Sequence, residues 1–114
     1  QRLVRRICPD CRVEYQPTPK EEKILAKLAS TPSVLYHGAG CERCNNIGYR
    51  GQIGLFELLM TSPAIETLVM KRANSSQIRA CAVEEGMETL REDGWKKVRA
   101  GLTTIAEVLR VTQN

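Results

Sequence analysis

The hydrophobic positions change their spacing about halfway along this chain of 114 residues. In the first half they form short strand-like runs: Leu3, Val4 and Ile7 lie among arginines, and apolar residues dominate the stretch from Gln52 to Leu59. Runs of this length and composition are typical of β-strands. We predict that these two strands pair antiparallel, and that the residues between them form an excursion from their joined end.

The excursion is predicted to contain two small elements of its own. Ile24, Leu25 and Leu28 recur at helical spacing within Lys20–Ala29, which predicts a short amphipathic helix. The apolar run from Val34 to Tyr36 predicts a short strand.

Four short helices are predicted after the second strand. The first begins at Ser62, which is a good N-cap residue, and Pro63 suits the first helical position. The second begins at Asn74, which has Gln77 three residues later and so resembles a capping box.

The third helix is predicted from about Glu88 to Ala100, with Gly94 weakening its middle and Trp95 close to its buried side. The fourth is predicted to begin at Thr104, with Glu107 three residues later. The positions expected to face inward are Ile65, Leu68, Val69, Ile78, Cys81, Ala82, Leu90, Val98, Ile105, Val108 and Leu109.

Four of the five cysteines form two C-x-x-C pairs, Cys8 with Cys11 and Cys41 with Cys44. Two such pairs in a short chain favour one tetrahedral zinc site, because each pair forms a turn that presents two sulfurs. Four thiolates leave no open coordination position, which indicates a structural metal. Two disulfides, a redox-active pair and an iron–sulfur cluster are the alternatives.

Two other residues have side chains that can bind a metal ion. His37 lies four residues before Cys41 and is an alternative ligand, but four cysteines already fill the site, so an exposed loop histidine is expected. Cys81 is left over in a helical stretch and is expected to be a small buried apolar residue.

The predicted fold class is α+β, with a small tetracysteine zinc module inserted between two antiparallel strands and followed by a compact group of four short helices. The corresponding division is a strand at 1–7, the zinc module at 8–50, the returning strand at 51–60 and a helical part at 61–114. Loss of the metal is expected to disorder residues 8–44 and to leave the helices from Ser62 onward largely intact.

The composition adds limits on function. The formal net charge is +4, and four thiolates with one zinc ion would lower it to about +2, which is too weak to indicate nucleic-acid binding. The early arginines keep a zinc-ribbon nucleic-acid module as an alternative; they are Arg2, Arg5, Arg6 and Arg12.

No apolar run is long enough for a membrane span, so no direct membrane insertion is expected. No G-x-x-x-x-G-K-[ST] phosphate loop occurs, and the start at Gln1 is expected for a piece of a longer protein.

Several motifs in order resemble the C-terminal part of the type II secretion and type IV pilus assembly ATPases. They are Gln1–Arg5, the two cysteine pairs, Gly48–Leu59, Glu85–Gly94, Lys97–Val98, Gly101–Ile105 and Glu107–Thr112. Within this resemblance, Leu90–Gly94 and Leu109–Thr112 favour the type II secretion branch, and the same region of a pilus extension ATPase is the alternative.

The resemblance implies a parent protein that is a cytoplasmic, hexameric, RecA-like ATPase. It would dock on inner-membrane platform proteins, lie peripheral to that membrane, and power pseudopilus assembly and protein export across the outer membrane. In that family the catalytic motifs lie upstream of the matched segment, so no catalytic residue is expected here, and ATP and magnesium belong only to the parent. The family's tetracysteine zinc site falls on Cys8, Cys11, Cys41 and Cys44.

Overall fold

Two antiparallel strand pairs form the first half of the fold. The computed structural model describes residues 1–26 and 34–112. Its strands are β1 (Arg2–Ile7), β2 (Arg12–Tyr15), β3 (Leu35–Gly38) and β4 (Tyr49–Leu55). β1 pairs with β4, and β2 pairs with β3. The predicted pairing of the first and returning strands is therefore confirmed, with the cysteine-containing segment as the excursion between them.

The returning strand begins and ends earlier than predicted. Its last pair is Arg2 with Leu55, and the next backbone N–H, that of Phe56, donates instead to Oδ2 of Asp93 at 2.9 Å. The strand expected between Gln52 and Leu59 is corrected to Tyr49–Leu55.

Among its described residues, the excursion contains one α-helix and one strand pair. The helix α1 (Pro19–Leu25) is capped by Thr18, which exchanges capping-box bonds with Glu21. The predicted extension of this helix to Ala29, including Leu28, lies outside the described residues. β2 was not predicted, because Val13 and Tyr15 are its only apolar residues and the strand is only four residues long.

Four helices follow β4, as predicted. They are α2 (Pro63–Met70), α3 (Ser75–Glu84), α4 (Leu90–Arg99) and α5 (Ile105–Thr112). α2 packs with α3, and α4 packs with α5, while α4 also contacts β4 and α5 contacts β1. Among the described residues, no helix is long and apolar enough to cross a membrane.

The helices α2, α3 and α4 each begin at a residue whose side chain caps the helix. Ser62 accepts a hydrogen bond from the N–H of Ile65, and Asn74 with Gln77 forms a complete capping box. The side chain of Thr89 caps α4 by accepting a hydrogen bond from the N–H of Glu92. These side chains satisfy backbone N–H groups that lack partners at a helix start.

One hydrophobic core joins the excursion to the last two helices. It contains Val4, Leu25, Leu35, Leu55, Trp95, Val98, Ile105 and Val108. Leu25 and Leu35 come from the excursion, and Trp95 and Val98 come from α4. Val69, which was expected to face inward, is instead 56% exposed on α2.

Candidate metal centre

The first cysteine pair forms the turn between β1 and β2. Cys8 follows the last residue of β1, and the N–H of Cys11 donates to the carbonyl of Cys8 at 3.4 Å. The N–H of Cys8 donates to the carbonyl of Gly48 at 3.0 Å. This hydrogen bond joins the first cysteine turn to the segment that follows the second cysteine turn.

The second cysteine pair lies in a short 3₁₀ turn after β3. The turn spans Glu42–Cys44 and is followed by Asn45 and Asn46, which both have positive φ angles. The N–H of Asn46 donates to the carbonyl of Cys41 at 2.8 Å, which closes the turn. Asparagine tolerates this left-handed backbone better than most residues, so the Asn-Asn sequence suits the fold here.

The two turns bring the four sulfur atoms together. The Sγ atoms of Cys8 and Cys41 are 3.7 Å apart, and those of Cys11 and Cys44 are 3.8 Å apart. Cys41 and Cys44 are separated by 3.7 Å, and all four sulfurs lie within 4.8 Å of one another. A tetrahedral zinc site with Zn–S bonds of about 2.3 Å places its sulfurs about 3.8 Å apart. The residues present therefore fit a tetrathiolate metal ion.

Backbone N–H groups surround these sulfurs. Gly40 N–H donates to Sγ of Cys11 at 3.3 Å. Cys44 receives two such bonds, from the N–H groups of Cys41 and Gly48, each at 3.3 Å. Bonds of this kind orient metal ligands and stabilise negative charge on sulfur.

The pKa values of two thiols move in opposite directions. Burial raises the pKa of Cys44, but the backbone N–H groups of Gly48 and Cys41 outweigh it and bring the value down to about 6. Burial raises the pKa of Cys11 to about 12, and the neighbouring sulfurs add to this effect. The lowered pKa of Cys44 favours its thiolate, which is the form that binds metals.

An acidic residue connects the outside of the two turns. Asp10, in the first turn, faces Arg43 at 3.7 Å and Arg50 at 3.4 Å. These ion pairs are exposed, so their contribution to stability is small.

The other candidate ligands lie apart from the sulfur cluster. His37 is exposed on β3, and its ring packs edge to face against Tyr15 with the centroids 5.3 Å apart. Cys81 lies in α3 and donates to Oε1 of Glu85 at 3.3 Å. All five cysteines are free thiols.

Sequence reasoning missed a second polar cluster beside the centre. Arg5 on β1 pairs with Glu107 on α5, whose side chain is only 1% exposed. Arg110 also donates to Glu107, with Nε 2.8 Å from Oε2. Burial raises the pKa of Glu107, but the hydrogen bonds from Arg5 and Arg110 outweigh it, and the pKa lies below its ordinary value. The only sequence signal was an acidic residue on the apolar side of a helix.

A family model described as "Type II/IV secretion system protein" matches residues 1–110. The chain belongs to this family. The match confirms the resemblance drawn from the motifs.

Relatives from both branches of this family are similar to the chain. It is 37% identical over 113 residues to "Type II secretion system ATPase E" of Vibrio cholerae, with 99% of the chain and 22% of the relative covered. It is 40% identical over 113 residues to "Type II secretion system protein E" of Dickeya dadantii, with the same coverage. It is 40% identical over 114 residues to "Type IV pilus assembly ATPase PilB" of Thermus thermophilus, covering 98% of the chain and 13% of the relative. The chain thus spans about a fifth or less of the length of these curated relatives.

Proposed function

We propose that this chain is the zinc-containing C-terminal part of a type II secretion ATPase, and that its four paired cysteines hold one structural zinc ion. The observation that carries the proposal is the separation of the sulfurs, 3.7–3.8 Å in three of the pairs. That spacing supports a tetrahedral thiolate shell rather than two covalent disulfides, whose sulfurs lie about 2.05 Å apart. Membership of the secretion family supports the larger role.

The zinc ion would supply a rigid cross-link and no reaction chemistry. Four thiolates complete its coordination, so no position remains for water or substrate. Cys8 and Cys11 would hold it from the β1–β2 turn, and Cys41 and Cys44 from the turn after β3. The backbone N–H groups of Gly40, Cys41 and Gly48 would keep the sulfurs oriented.

The wider activity belongs to the parent protein. We infer that ATP and magnesium bind outside these residues, that the parent is a cytoplasmic hexamer peripheral to the inner membrane, and that it acts with inner-membrane platform proteins. Within the chain, 1–7 would end the sheet of the ATPase core, 8–50 would form the zinc module, 51–60 would return to the core, and 61–114 would be the helical part. The chain itself would serve structure and interaction.

The same region of a type IV pilus assembly ATPase is the second candidate. The 40% identity to the pilus protein of Thermus thermophilus supports it as strongly as the secretion relatives support the first. Genes for secretion or pilus components beside the parent gene would separate the two.

A nucleic-acid module is not supported. Arg5 is paired with Glu107, and Arg12 lies over the ring of Tyr36 at 5.0 Å while donating to a carbonyl. Arg6 donates to the carbonyl of Arg50 at 3.2 Å. These side chains are already engaged within the chain. A salt-dependent shift of a labelled oligonucleotide would contradict this conclusion.

Metal content tests the zinc proposal directly. Native mass spectrometry should find one zinc ion per chain. A strong chelator should remove this ion, and the variant Cys44→Ser should lack it. Cys81→Ser is the matched control, because it removes a thiol outside the cluster, and it should retain the ion. Equal zinc content in the two variants, or no zinc in the unaltered chain, would refute the site.

The functional role requires the full-length parent. Cys41→Ser with Cys44→Ser should reduce secretion and binding to the membrane platform, again with Cys81→Ser as control. Secretion and platform binding at the unaltered level in the double variant would rule out a role for the zinc module in this machine.

A further inference from the structure

The turn between α4 and α5 is contacted by all four strands. This turn, Gly101–Thr104, begins 46 positions after Leu55, the end of the last described strand, yet it lies against residues of β1, β2, β3 and β4. We call these four residues the α4–α5 turn. It is the place where the excursion and the last two helices meet.

Gly101 leaves little room for a side chain at this place. Its backbone has φ +79°, and a Cβ there would lie 2.9 Å from Nη1 of Arg12 and 3.1 Å from Cδ2 of Tyr36. Its carbonyl accepts a hydrogen bond from Nη1 of Arg12 at 3.3 Å. Any other residue would be strained at this φ angle, and its Cβ would displace the Arg12 guanidinium and press on the Tyr36 ring.

The next three residues bond to β1 and β4. The carbonyl of Leu102 accepts from the N–H of Ile7 at 2.8 Å. The hydroxyl of Thr103, which is buried, donates to the carbonyl of Arg5 at 2.8 Å. The hydroxyls of Thr104 and Tyr49 are 2.8 Å apart. Each of these bonds links the start of α5 to a strand at the base of the cysteine turns.

The strand residues that hold this turn are close neighbours of the cysteines. Ile7 precedes Cys8, and Arg12 follows Cys11. The core strengthens the link, since Trp95 of α4 packs in one cluster with Leu35 of β3. Movement of the cysteine turns would therefore displace the residues on which the last two helices rest.

We propose that the α4–α5 turn couples the cysteine centre to α4 and α5, so that metal binding and the order of these two helices stabilise each other. The inference rests on the proposed zinc site. Under this proposal, loss of the metal affects more than residues 8–44, because α4 and α5 also loosen. The helices α2 and α3 do not loosen, since they pack mainly with each other. Such coupling is reciprocal by thermodynamic necessity.

The first test compares two glycine substitutions. Gly101→Ala should lower zinc affinity, measured by competition with a chromophoric chelator, by about tenfold, because contacts that support the ligands are lost. Gly86→Ala is the matched control, because Gly86 has φ +101° but nothing lies within 4 Å of an added Cβ. It imposes similar backbone strain away from the turn and should leave zinc affinity unchanged. Equal zinc affinities in the two variants would overturn the coupling.

A milder pair of variants applies if Gly101→Ala does not fold. Tyr49→Phe removes only the hydroxyl that contacts Thr104, and it should lower zinc affinity by about fivefold. Tyr36→Phe removes a hydroxyl that makes no hydrogen bond among the described residues and keeps the ring against the turn. It should behave as the unaltered chain, and equal effects of the two variants would overturn the coupling.

The reciprocal test measures hydrogen exchange in the unaltered chain. Zinc removal should increase exchange at the amides of α4 and α5 by about tenfold or more, and leave α2 and α3 unchanged. Increased exchange confined to the excursion would overturn the coupling while leaving the zinc site intact. Absence of bound zinc would remove the proposed site and the coupling together.

Discussion

Arg5 on the first strand and Glu107 on the last helix form an ion pair across 102 positions of sequence. The Glu107 side chain is 1% exposed, whereas the Arg5 side chain is 48% exposed. Arg5 also lies over the ring of Tyr49, 4.1 Å from its centroid, and Arg110 donates to the other oxygen of Glu107. The buried carboxylate therefore depends on two arginines to replace the water that it has lost.

Removing this charge should destabilise the fold. Glu107→Gln is expected to lower the free energy of unfolding by about 2 kcal/mol, the scale of a hydrogen bond to a charged group. The loss stays below that of a fully buried pair, since Arg5 and Arg110 are half exposed and water can solvate them. Urea denaturation measures the change. Glu84→Gln, at an exposed position on α3, is the control and should change stability by less than about 0.5 kcal/mol; an equal loss in both variants would contradict the role of Glu107.

The same carboxylate predicts how stability depends on pH. The pKa of Glu107 in the folded chain lies below its ordinary value of 4.5, because the arginine bonds outweigh burial. The unfolded chain therefore binds more protons, and this stability is present above pH 4.5 and is lost as the pH falls through the lowered folded value. Asp93 and Glu21 also have lowered pKa values and act in the same direction.

We expect the free energy of unfolding to fall between about pH 6 and about pH 3, and less steeply in Glu107→Gln than in the unaltered chain. Acid also releases thiolate-bound metal, so metal content should be recorded in both series and the slopes compared at equal zinc occupancy. Identical slopes in the two chains would show that Glu107 does not titrate as the contacts require.

The features that the sequence predicted are those set by short-range patterns. Ser62 and Asn74 cap helices because the bond runs to a residue three positions away. The cysteine pairs are equally local, and their spacing was enough to expect that two turns would meet. The short β2 was missed since four residues carry little periodicity.

The features that could not be predicted depend on contacts between distant residues. The burial of Glu107 follows from the position of Arg5, and Thr103 bonds to the carbonyl of Arg5 across 98 positions. Propensity and pattern do not encode such pairs. The common core of Leu35 and Trp95 is of the same kind, since it joins β3 of the excursion to α4.

At Gly94, helix propensity and tertiary packing favour different residues. In sequence this glycine weakens the middle of α4, and helix propensity alone would favour alanine by about 1 kcal/mol. In the structure a Cβ at this position would lie 2.5 Å from Cγ1 of Val108 and 3.3 Å from Cδ1 of Leu55. Glycine therefore allows α5 to approach α4 closely.

Gly94→Ala should be destabilising despite its better helix propensity. Overpacking a core typically costs about 1–3 kcal/mol, which exceeds the gain in propensity over most of that range. In Gly94→Ala with Val108→Ala, the smaller partner makes room for the added methyl. The double variant should thus be more stable than the sum of the single effects predicts. Additive effects, measured by thermal denaturation, would argue against the close contact.

The backbone contact between Gly38 and Gly48 predicts a metal-binding defect. A Cβ on Gly38 would lie 2.0 Å from the carbonyl oxygen of Gly48. That carbonyl accepts from the N–H of Cys8, and the N–H of Gly48 donates to Sγ of Cys44, so Gly48 supports both cysteine turns.

Gly38→Ala should therefore reduce zinc affinity by about 10–100-fold, the usual effect of losing groups that orient the ligands. Competition with a chromophoric chelator measures the affinity. Ala39→Ser is the neighbouring control, because Ala39 is exposed and a hydroxyl there has room. Unchanged affinity in Gly38→Ala would mean that the two turns can separate without disturbing the four sulfurs, and that the backbone contact is not what positions them.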